Sequence, residues 1–178
     1  IHGVVKDIKT PNIDALARSG VVATHGYSTA PQCVPSRGGV MTGRFQGRFD
    51  LDNNGSALDG FNKQTTIATR LQTAGYATAQ FGKWHLGHGP EHDPTGFDRW
   101  RVLPGQGHYH NPVMLQPRPD GRGHTIVERG GYVTDLITDD ARVHELLDHV
   151  RAERRFAYDS EFIGELTYHP KLCVLQIA

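Results

Sequence analysis

The apolar positions of the chain recur in two spacings, and each spacing predicts a different element. In residues 11–19 and 65–74, apolar side chains recur every three or four positions, which is typical of a helix with one buried face. A glycine follows each segment, and then comes a short apolar run that predicts a strand, at 21–23 and at 76–81. The repeated helix-then-strand order predicts an α/β fold of three layers, with helices flanking a mostly parallel sheet.

The remaining segments differ in amino-acid composition and periodicity. Residues 46–64 are rich in Asn, Asp and Gly without periodicity, so they predict a surface loop. Residues 88–131 are rich in Gly, Pro and His and predict one long irregular loop. An apolar stripe over 133–150 predicts a helix, and the pair Asp139 and Asp140 is expected on its solvated face rather than at a metal.

Length and charge limit the classes of protein to consider. The chain has 178 residues, enough for one domain with a sizeable core. Its 19 basic and 19 acidic side chains cancel, so no net field attracts nucleic acid or an anionic membrane. No apolar run approaches the roughly 18 residues that cross a bilayer. The sequence begins without Met and without a signal peptide, which predicts a processed chain or a fragment.

The stretch QCVPSRGGVMTGR, residues 32–44, holds the candidate chemistry. Its cysteine, Cys33, is one of two, and two thiols as distant in sequence as Cys33 and Cys173 do not make a disulfide framework. Arg37 and the N-terminus of a short predicted helix would favour the Cys33 thiolate. A second motif, GKWHLG at residues 82–87, leaves the predicted strand at its carboxyl end, where ligands bind in open α/β sheets.

Together these motifs resemble the signature of the type I sulfatases. That signature is Cys-x-Pro-Ser-Arg followed by Thr-Gly-Arg, and GKWHLG lies after a helix and a strand as in the family. The stretches TPNIDALARSGV upstream and GYVTDLITDDA downstream also resemble the family in the corresponding places. The resemblance covers about residues 1–150. It implies the N-terminal part of an alkaline-phosphatase-like catalytic domain, incomplete in this chain, and hydrolysis of sulfuric esters.

The resemblance also implies roles for four residues. Cys33 would be oxidised to formylglycine, whose hydrate is a gem-diol; one hydroxyl attacks sulfur, the alcohol leaves, and the second hydroxyl expels sulfate from the bound ester. Lys83 would bind the sulfate, and Arg37 would hold the gem-diol. His85 would hydrogen-bond the gem-diol or assist proton transfer. The predicted catalytic residues are thus Cys33, Arg37, Lys83 and His85, and Lys83 also binds substrate.

Cofactors and partners follow from the same resemblance. A divalent cation, Ca²⁺ or Mg²⁺, is expected, with Cys33 as formylglycine its one ligand here, because the family's other ligands lie outside this chain. A formylglycine-generating or equivalent enzyme would modify Cys33. A periplasmic or secreted location is expected, and the fragment is expected to show little activity alone.

The expected substrate is a sulfated small molecule or carbohydrate. The segment GFDRWRVLPGQGHYHNP, residues 96–112, resembles sulfatases that act on sulfated amino sugars and glycosaminoglycans. Its aromatic residues Trp100 and Tyr109 suit a sugar partner and the packing of the loop on itself equally well.

The end of the chain has a different resemblance. Residues 156–178 resemble the opening strands of ribonuclease D-type 3′-5′ exonucleases, and Asp159 and Glu161 match the metal-binding Asp-x-Glu motif of those enzymes. The predicted domains are therefore a partial sulfatase catalytic domain at 1–150 and an unrelated tail at 151–178. Nucleic acid is an expected partner only if the tail belonged to a complete exonuclease.

Two alternative functions remain open from the sequence. One is a truncated metal-dependent 3′-5′ exonuclease fusion, which the motif in the tail would indicate. The other is a histidine-rich metal-binding module, because His85, His88 and His92 lie close together and HYH at 108–110 could add ligands. The glycines and prolines between these histidines give no helical pair four residues apart, which disfavours the second alternative.

Overall fold

A computed structural model describes residues 9–140 and the strands at 158–163 and 171–177. The helices are α1 (Pro11–Ser19), α2 (Cys33–Thr42), α3 (Asp59–Asn62), α4 (Ile67–Thr73) and α5 (Val133–Asp140), with 3₁₀ turns at Gln46–Phe49 and Pro90–His92. The strands are β1 (Ala79–Lys83), β2 (Arg99–Leu103), β3 (Val113–Pro117), β4 (His124–Glu128), β5 (Tyr158–Ile163) and β6 (Lys171–Ile177).

The strands form one sheet in the order β4-β3-β2-β1-β6-β5. The α/β class is confirmed, but the prediction of a mostly parallel sheet is wrong for the described strands. Only the pairing of β1 with β2 is parallel, with Lys83 opposite Leu103, and the other pairings are antiparallel. The links after β2 and β3 are too short to hold the crossover that a parallel pair requires, so β2, β3 and β4 run as an antiparallel meander.

Two segments predicted as loops contain regular structure. Residues 88–131 hold β2, β3 and β4, each only five residues long. Residues 46–64 hold a 3₁₀ turn and α3, and their apolar side chains Phe49, Leu51 and Phe61 are buried. Short strands among glycines and prolines leave little periodicity, which explains why the sequence pattern missed them.

The strands predicted near the N-terminal helices also differ from the structure. No strand forms at 21–23, where Val21 is 99% exposed. The strand predicted at 76–81 begins instead at Ala79. Thr78 lies in the irregular segment just before it, where its backbone N–H donates to Asp98 Oδ2 over 2.8 Å. The helices themselves are placed as predicted, with α1 ending before Gly20 and α4 before Gly75.

The main hydrophobic core packs α2, α4 and the 45–62 segment against β2, β3 and the turn that follows β1. Trp84 lies at its centre, in edge-to-face contact with Phe61 and Phe97. In α2, Gly38 is required by close approach, because a Cβ there would lie 2.3 Å from Leu51 Cδ2. A second cluster joins β2 and β3 to α5; its members are Leu103, Met114, Val133 and Ile137.

Asp140 at the end of α5 is not on a solvated face. Its side chain is 7% exposed and forms ion pairs with Arg101 and with Arg129, 2.8 Å from the Arg129 Nη1. Asp139 is exposed, as predicted. The two guanidinium groups come from distant segments and neutralise Asp140, which a reading of helix periodicity could not show. A cavity of about 540 Å³ borders these side chains and contains none of the predicted catalytic residues.

Within the described ranges, no helix is both long enough and apolar enough to cross a bilayer.

Strand β6 of the predicted tail lies beside β1 in the sheet, with Ala79 opposite Ile177. The boundary at residue 150 between a sulfatase-like domain and a separate tail stays a prediction.

Candidate active site

Cys33 is the first residue of α2, and its free thiol is partly buried. The residue before it, Gln32, has an extended backbone that brings the chain into the helix. Asn54, in a neighbouring loop, makes two hydrogen bonds to this end of the helix. Its side-chain Oδ1 accepts from the Val34 backbone N–H over 3.0 Å, and its backbone N–H donates to Gln32 Oε1 over 2.8 Å. The thiol therefore lies at a helix N-terminus, where backbone N–H groups favour negative charge.

Lys83 brings a cation to this thiol from the last position of β1. Its Nζ lies 3.6 Å from Cys33 Sγ and 2.8 Å from Gln106 Oε1. Burial alternates through this stretch, with Gly82 and Trp84 buried and Lys83 and His85 partly exposed. The alternation puts Lys83 and His85 toward one side, as expected for residues two apart on an extended chain.

Arg37 joins α2 to the end of β1. It lies four residues after Cys33, on the same side of the helix, and is 8% exposed. Its Nε donates to the Trp84 carbonyl over 2.7 Å and its Nη2 to the Lys83 carbonyl over 2.6 Å. These bonds fix Lys83 relative to Cys33, so Arg37 positions the site. Its predicted contact with a gem-diol stays a prediction.

The turn after β1 is held by Trp84 and shaped by unusual backbone angles. Trp84 Nε1 donates to the His92 carbonyl over 2.8 Å. His85 has φ +52°, in the left-handed region that non-glycine residues seldom adopt. Gly87 has φ +105°, and a Cβ there would lie 2.3 Å from His92 Cβ. Backbone conformations of this kind persist where the surrounding packing imposes them, and they cluster at active sites.

His85 is a neutral imidazole at physiological pH. Burial, with smaller effects from the positive charges of Lys83, Arg37 and His88, lowers its pKa from 6.5 to about 4. Its Nδ1 is buried and has no hydrogen-bond partner among the described residues. A neutral ring can donate from one nitrogen and accept at the other, so His85 can hydrogen-bond a ligand hydroxyl.

We expect the free energy of unfolding to fall as the pH is lowered from 6.5 toward about 4, the two pKa values of His85 in the unfolded and folded states. Between them the unfolded chain binds the proton and the folded chain does not, so acid favours unfolding. His85→Asn removes this titration and tolerates the left-handed backbone. Urea midpoints across this pH range should show a flatter dependence for the variant.

The matched control is His25→Asn, at an exposed histidine in the 24–32 loop. It should keep the wild-type pH dependence. Equal slopes for wild type and His85→Asn would mean that His85 titrates alike in both states.

The structure brings Cys33, Arg37, Lys83 and His85 into one region, and it adds two residues that the sequence did not single out. Asn54 closes the N-terminus of α2, and Gln106 contacts Lys83. Gln106 follows the carboxyl end of β2, next to the end of β1, and the rule that ligands bind at this edge could have identified it. Nothing in the sequence marks Asn54.

Metal ligands are not assembled in the described part of the chain. No group of three or more His, Cys, Asp or Glu side chains there could hold a metal ion, so the histidine-rich metal module lacks a site. Asp159 and Glu161 both lie in β5, two positions apart, and their side chains are outside the described residues. Their exonuclease-like role stays a prediction.

Comparison with known proteins identifies the family. The Sulfatase family profile matches residues 4–158. An N-acetylglucosamine-6-O-sulfatase of Bacteroides thetaiotaomicron is 40% identical over 137 residues, which cover 75% of this chain and 22% of that protein. Arylsulfatase G of Rattus norvegicus is 35% identical over 127 residues, 64% of this chain and 24% of the relative. An N-acetylgalactosamine-6-sulfatase of Sus scrofa is 36% identical over 105 residues, 52% and 20% of the two chains. This chain thus spans about a quarter or less of these relatives, and it belongs to the sulfatase family.

Proposed function

We propose that this chain carries the nucleophile and an anion-binding cation of a sulfuric ester hydrolase. The observation that carries the proposal is the 3.6 Å contact between Lys83 Nζ and Cys33 Sγ at the N-terminus of α2. A fixed ammonium beside the attacking group stabilises the negative charge of a sulfate ester as its bond to the alcohol breaks.

The thiol of Cys33 marks the place of a formylglycine. A partly buried position at a helix N-terminus and beside Lys83 suits a hydrated aldehyde that must act as an anion. Its formation needs a maturation enzyme with a two-electron oxidant, since the side-chain carbon rises to the aldehyde level and sulfur leaves as sulfide. Once hydrated, the group supplies one hydroxyl to attack sulfur and a second to release sulfate afterwards.

The other residues act on charge, protons and position. Lys83 attracts the sulfate; two opposite unit charges about 4 Å apart gain from ~1 kcal/mol in water to ~4 kcal/mol near a protein surface. His85 is neutral above about pH 4 and would hydrogen-bond the gem-diol or assist proton transfer. Arg37 holds α2 and the end of β1 together, so that these groups stay aligned.

A divalent cation is part of the proposal for the whole protein. Ca²⁺ and Mg²⁺ prefer several oxygen ligands with carboxylates among them, and the described residues contain no group of three or more His, Cys, Asp or Glu side chains that could hold a metal ion. The described residues alone therefore do not fit this ion, and the roles given above to Lys83, His85 and Arg37 do not depend on it.

A sulfated amino sugar is the substrate class that we propose. Relatives of this chain include an N-acetylglucosamine-6-O-sulfatase and an N-acetylgalactosamine-6-sulfatase. Trp100 is buried in the core, so it packs within the protein rather than against a sugar. Tyr109 lies partly buried against the second cluster. Recognition of the sugar then falls to polar groups near Lys83. A formylglycine-generating enzyme as partner and a periplasmic or secreted location are proposed with this substrate.

The test begins with the chemical state of residue 33. Mass spectrometry should find formylglycine there after expression with a maturation enzyme. With Ca²⁺ and an aryl sulfate, a protein that contains this sequence within the length of its relatives should turn over repeatedly, and the 178-residue chain should release little sulfate. A modified protein of the relatives' length that cleaves neither aryl sulfates nor sulfated amino sugars would refute the proposal.

A further inference from the structure

The side chain of Gln106 contacts the ammonium group of Lys83. Its Oε1 accepts a hydrogen bond from Lys83 Nζ over 2.8 Å, while the same ammonium lies 3.6 Å from Cys33 Sγ. An ammonium has donors and no acceptor, so the atom that faces it must be the amide oxygen. We infer that Gln106 is a positioning residue, which holds the Lys83 ammonium over the nucleophile for an incoming oxyanion. The inference rests on the proposed function.

The loop that carries Gln106 is fixed at both ends. Gly105 and Gly107 flank it with φ +56° and +73°, and the Gly107 N–H donates to the Pro104 carbonyl over 3.1 Å. Farther along, the Tyr109 carbonyl accepts the first N–H of α5, from Val133, over 2.8 Å. These backbone bonds do not involve the Gln106 side chain, so its replacement leaves the frame of the loop in place.

Lys83 needs such a partner because its side chain is long and flexible. A lysine ammonium is a point charge on a four-carbon stem, and fixing it costs rotamer entropy. Within the described residues its partners are the Cys33 thiol and Gln106. Gln106 is neutral, so it can hold the ammonium without cancelling the positive charge that attracts a sulfate. Its amide NH₂ has no hydrogen-bond partner among the described residues and can donate to a ligand oxygen.

The test uses two alkylating reagents on Cys33 of the unmodified 178-residue chain. Iodoacetate is an anion and iodoacetamide is neutral, and both react with the same thiolate. The ratio of their rates therefore cancels the reactivity of the thiol and measures how strongly a nearby cation attracts an anion. Peptide-resolved mass spectrometry separates Cys33 from Cys173, and low salt keeps the attraction unscreened.

Lys83→Met should lower the iodoacetate-to-iodoacetamide ratio about fivefold, as expected for loss of one charge near 4 Å in water. In Gln106→Met the new side chain has about the same length as glutamine but lacks the oxygen that accepts from Lys83, so the ratio should fall at least about twofold. Gln106→Asn keeps a carboxamide but withdraws it from Lys83, and should also lower the ratio. The matched control, Gln72→Met, removes an exposed glutamine bonded to Asp98 and should leave the ratio unchanged.

The outcomes separate this inference from the proposed function. If Lys83→Met lowers the ratio and both Gln106 variants match wild type, Gln106 does not position the ammonium and the inference is wrong. If Lys83→Met leaves the ratio unchanged, Lys83 does not attract anions to residue 33, and the proposed function loses its main support. If the rate ratio falls in the Lys83 and Gln106 variants and stays unchanged in Gln72→Met, both the inference and the proposed function are supported.

Discussion

A full-length sulfatase carrying this sequence is expected to lose ester hydrolysis when Cys33 is replaced by alanine, with kcat lowered roughly 10⁴-fold or more. An alanine methyl group cannot become an aldehyde, so no hydroxyl is available to attack sulfur. Lys83 would still lie at the end of β1, and substrate binding should be weakened much less than turnover. The measurement is kcat and KM on an aryl sulfate, with the state of residue 33 confirmed by mass spectrometry.

Two variants make this test specific. Cys173→Ala makes the same chemical change at the other cysteine of the sequence and should leave kcat unchanged. Cys33→Ser, in a host whose maturation enzyme accepts only cysteine, has a single hydroxyl. It could take up one sulfate and not release it, so we expect no turnover and a mass increase of one SO₃ group on that peptide. Full turnover by the alanine variant would end the hypothesis of a nucleophile at residue 33.

Arg37→Met is expected to destabilise the 178-residue chain by about 3–5 kcal/mol. Arg37 is 8% exposed and donates to the carbonyls of Lys83 and Trp84. Hydrogen bonds from a charged donor contribute about 1.5–3 kcal/mol each, and their loss leaves two carbonyl oxygens without this donor. Urea unfolding followed by circular dichroism gives the free energy of unfolding.

Arg37→Lys and Arg48→Met are the comparisons for this prediction. Lysine keeps the charge but cannot reach both carbonyls with a planar fork, so it should recover only part of the loss. Arg48 is an exposed arginine in the 3₁₀ turn, and its replacement should change the free energy of unfolding by less than about 0.5 kcal/mol. A loss below about 1 kcal/mol for Arg37→Met would show that other contacts join α2 to β1.

The parts of the fold that depend on local sequence could be predicted. The start of α2 near Cys33 could be predicted from its motif. The ends of α1 and α4 could be predicted because a glycine follows each helix, and glycine readily adopts the backbone conformations that end a helix. Strands β2 to β4 could not be predicted in the same way, because each has only five residues and depends on pairing with its neighbouring strand rather than on a periodic pattern of its own. The run at 21–23 shows the converse, since apolar residues without a pairing strand remain exposed.

The candidate site was predictable in its residue types and not in its contacts. Motif resemblance selected Cys33, Arg37, Lys83 and His85, and the structure brings them to one place. It could not indicate that the Arg37 guanidinium faces two backbone carbonyls, because a carbonyl has no signature in a sequence. The position of Gln106 after β2 places it at the ligand-binding edge of the sheet, but its contact with Lys83 depends on how β2 lies beside β1, which the sequence does not state.

The hydrogen bond from Arg37 to the Lys83 carbonyl joins positions 46 residues apart, and this separation affects the order of folding. Closing a chain segment of that length costs entropy before any contact repays it, so such contacts form more slowly than helices. In a refolding experiment, helical circular dichroism should therefore return first. The raised iodoacetate preference of Cys33 should return later, when β1 has docked, and its time course would report when a newly made chain first acquires an anion-binding pocket.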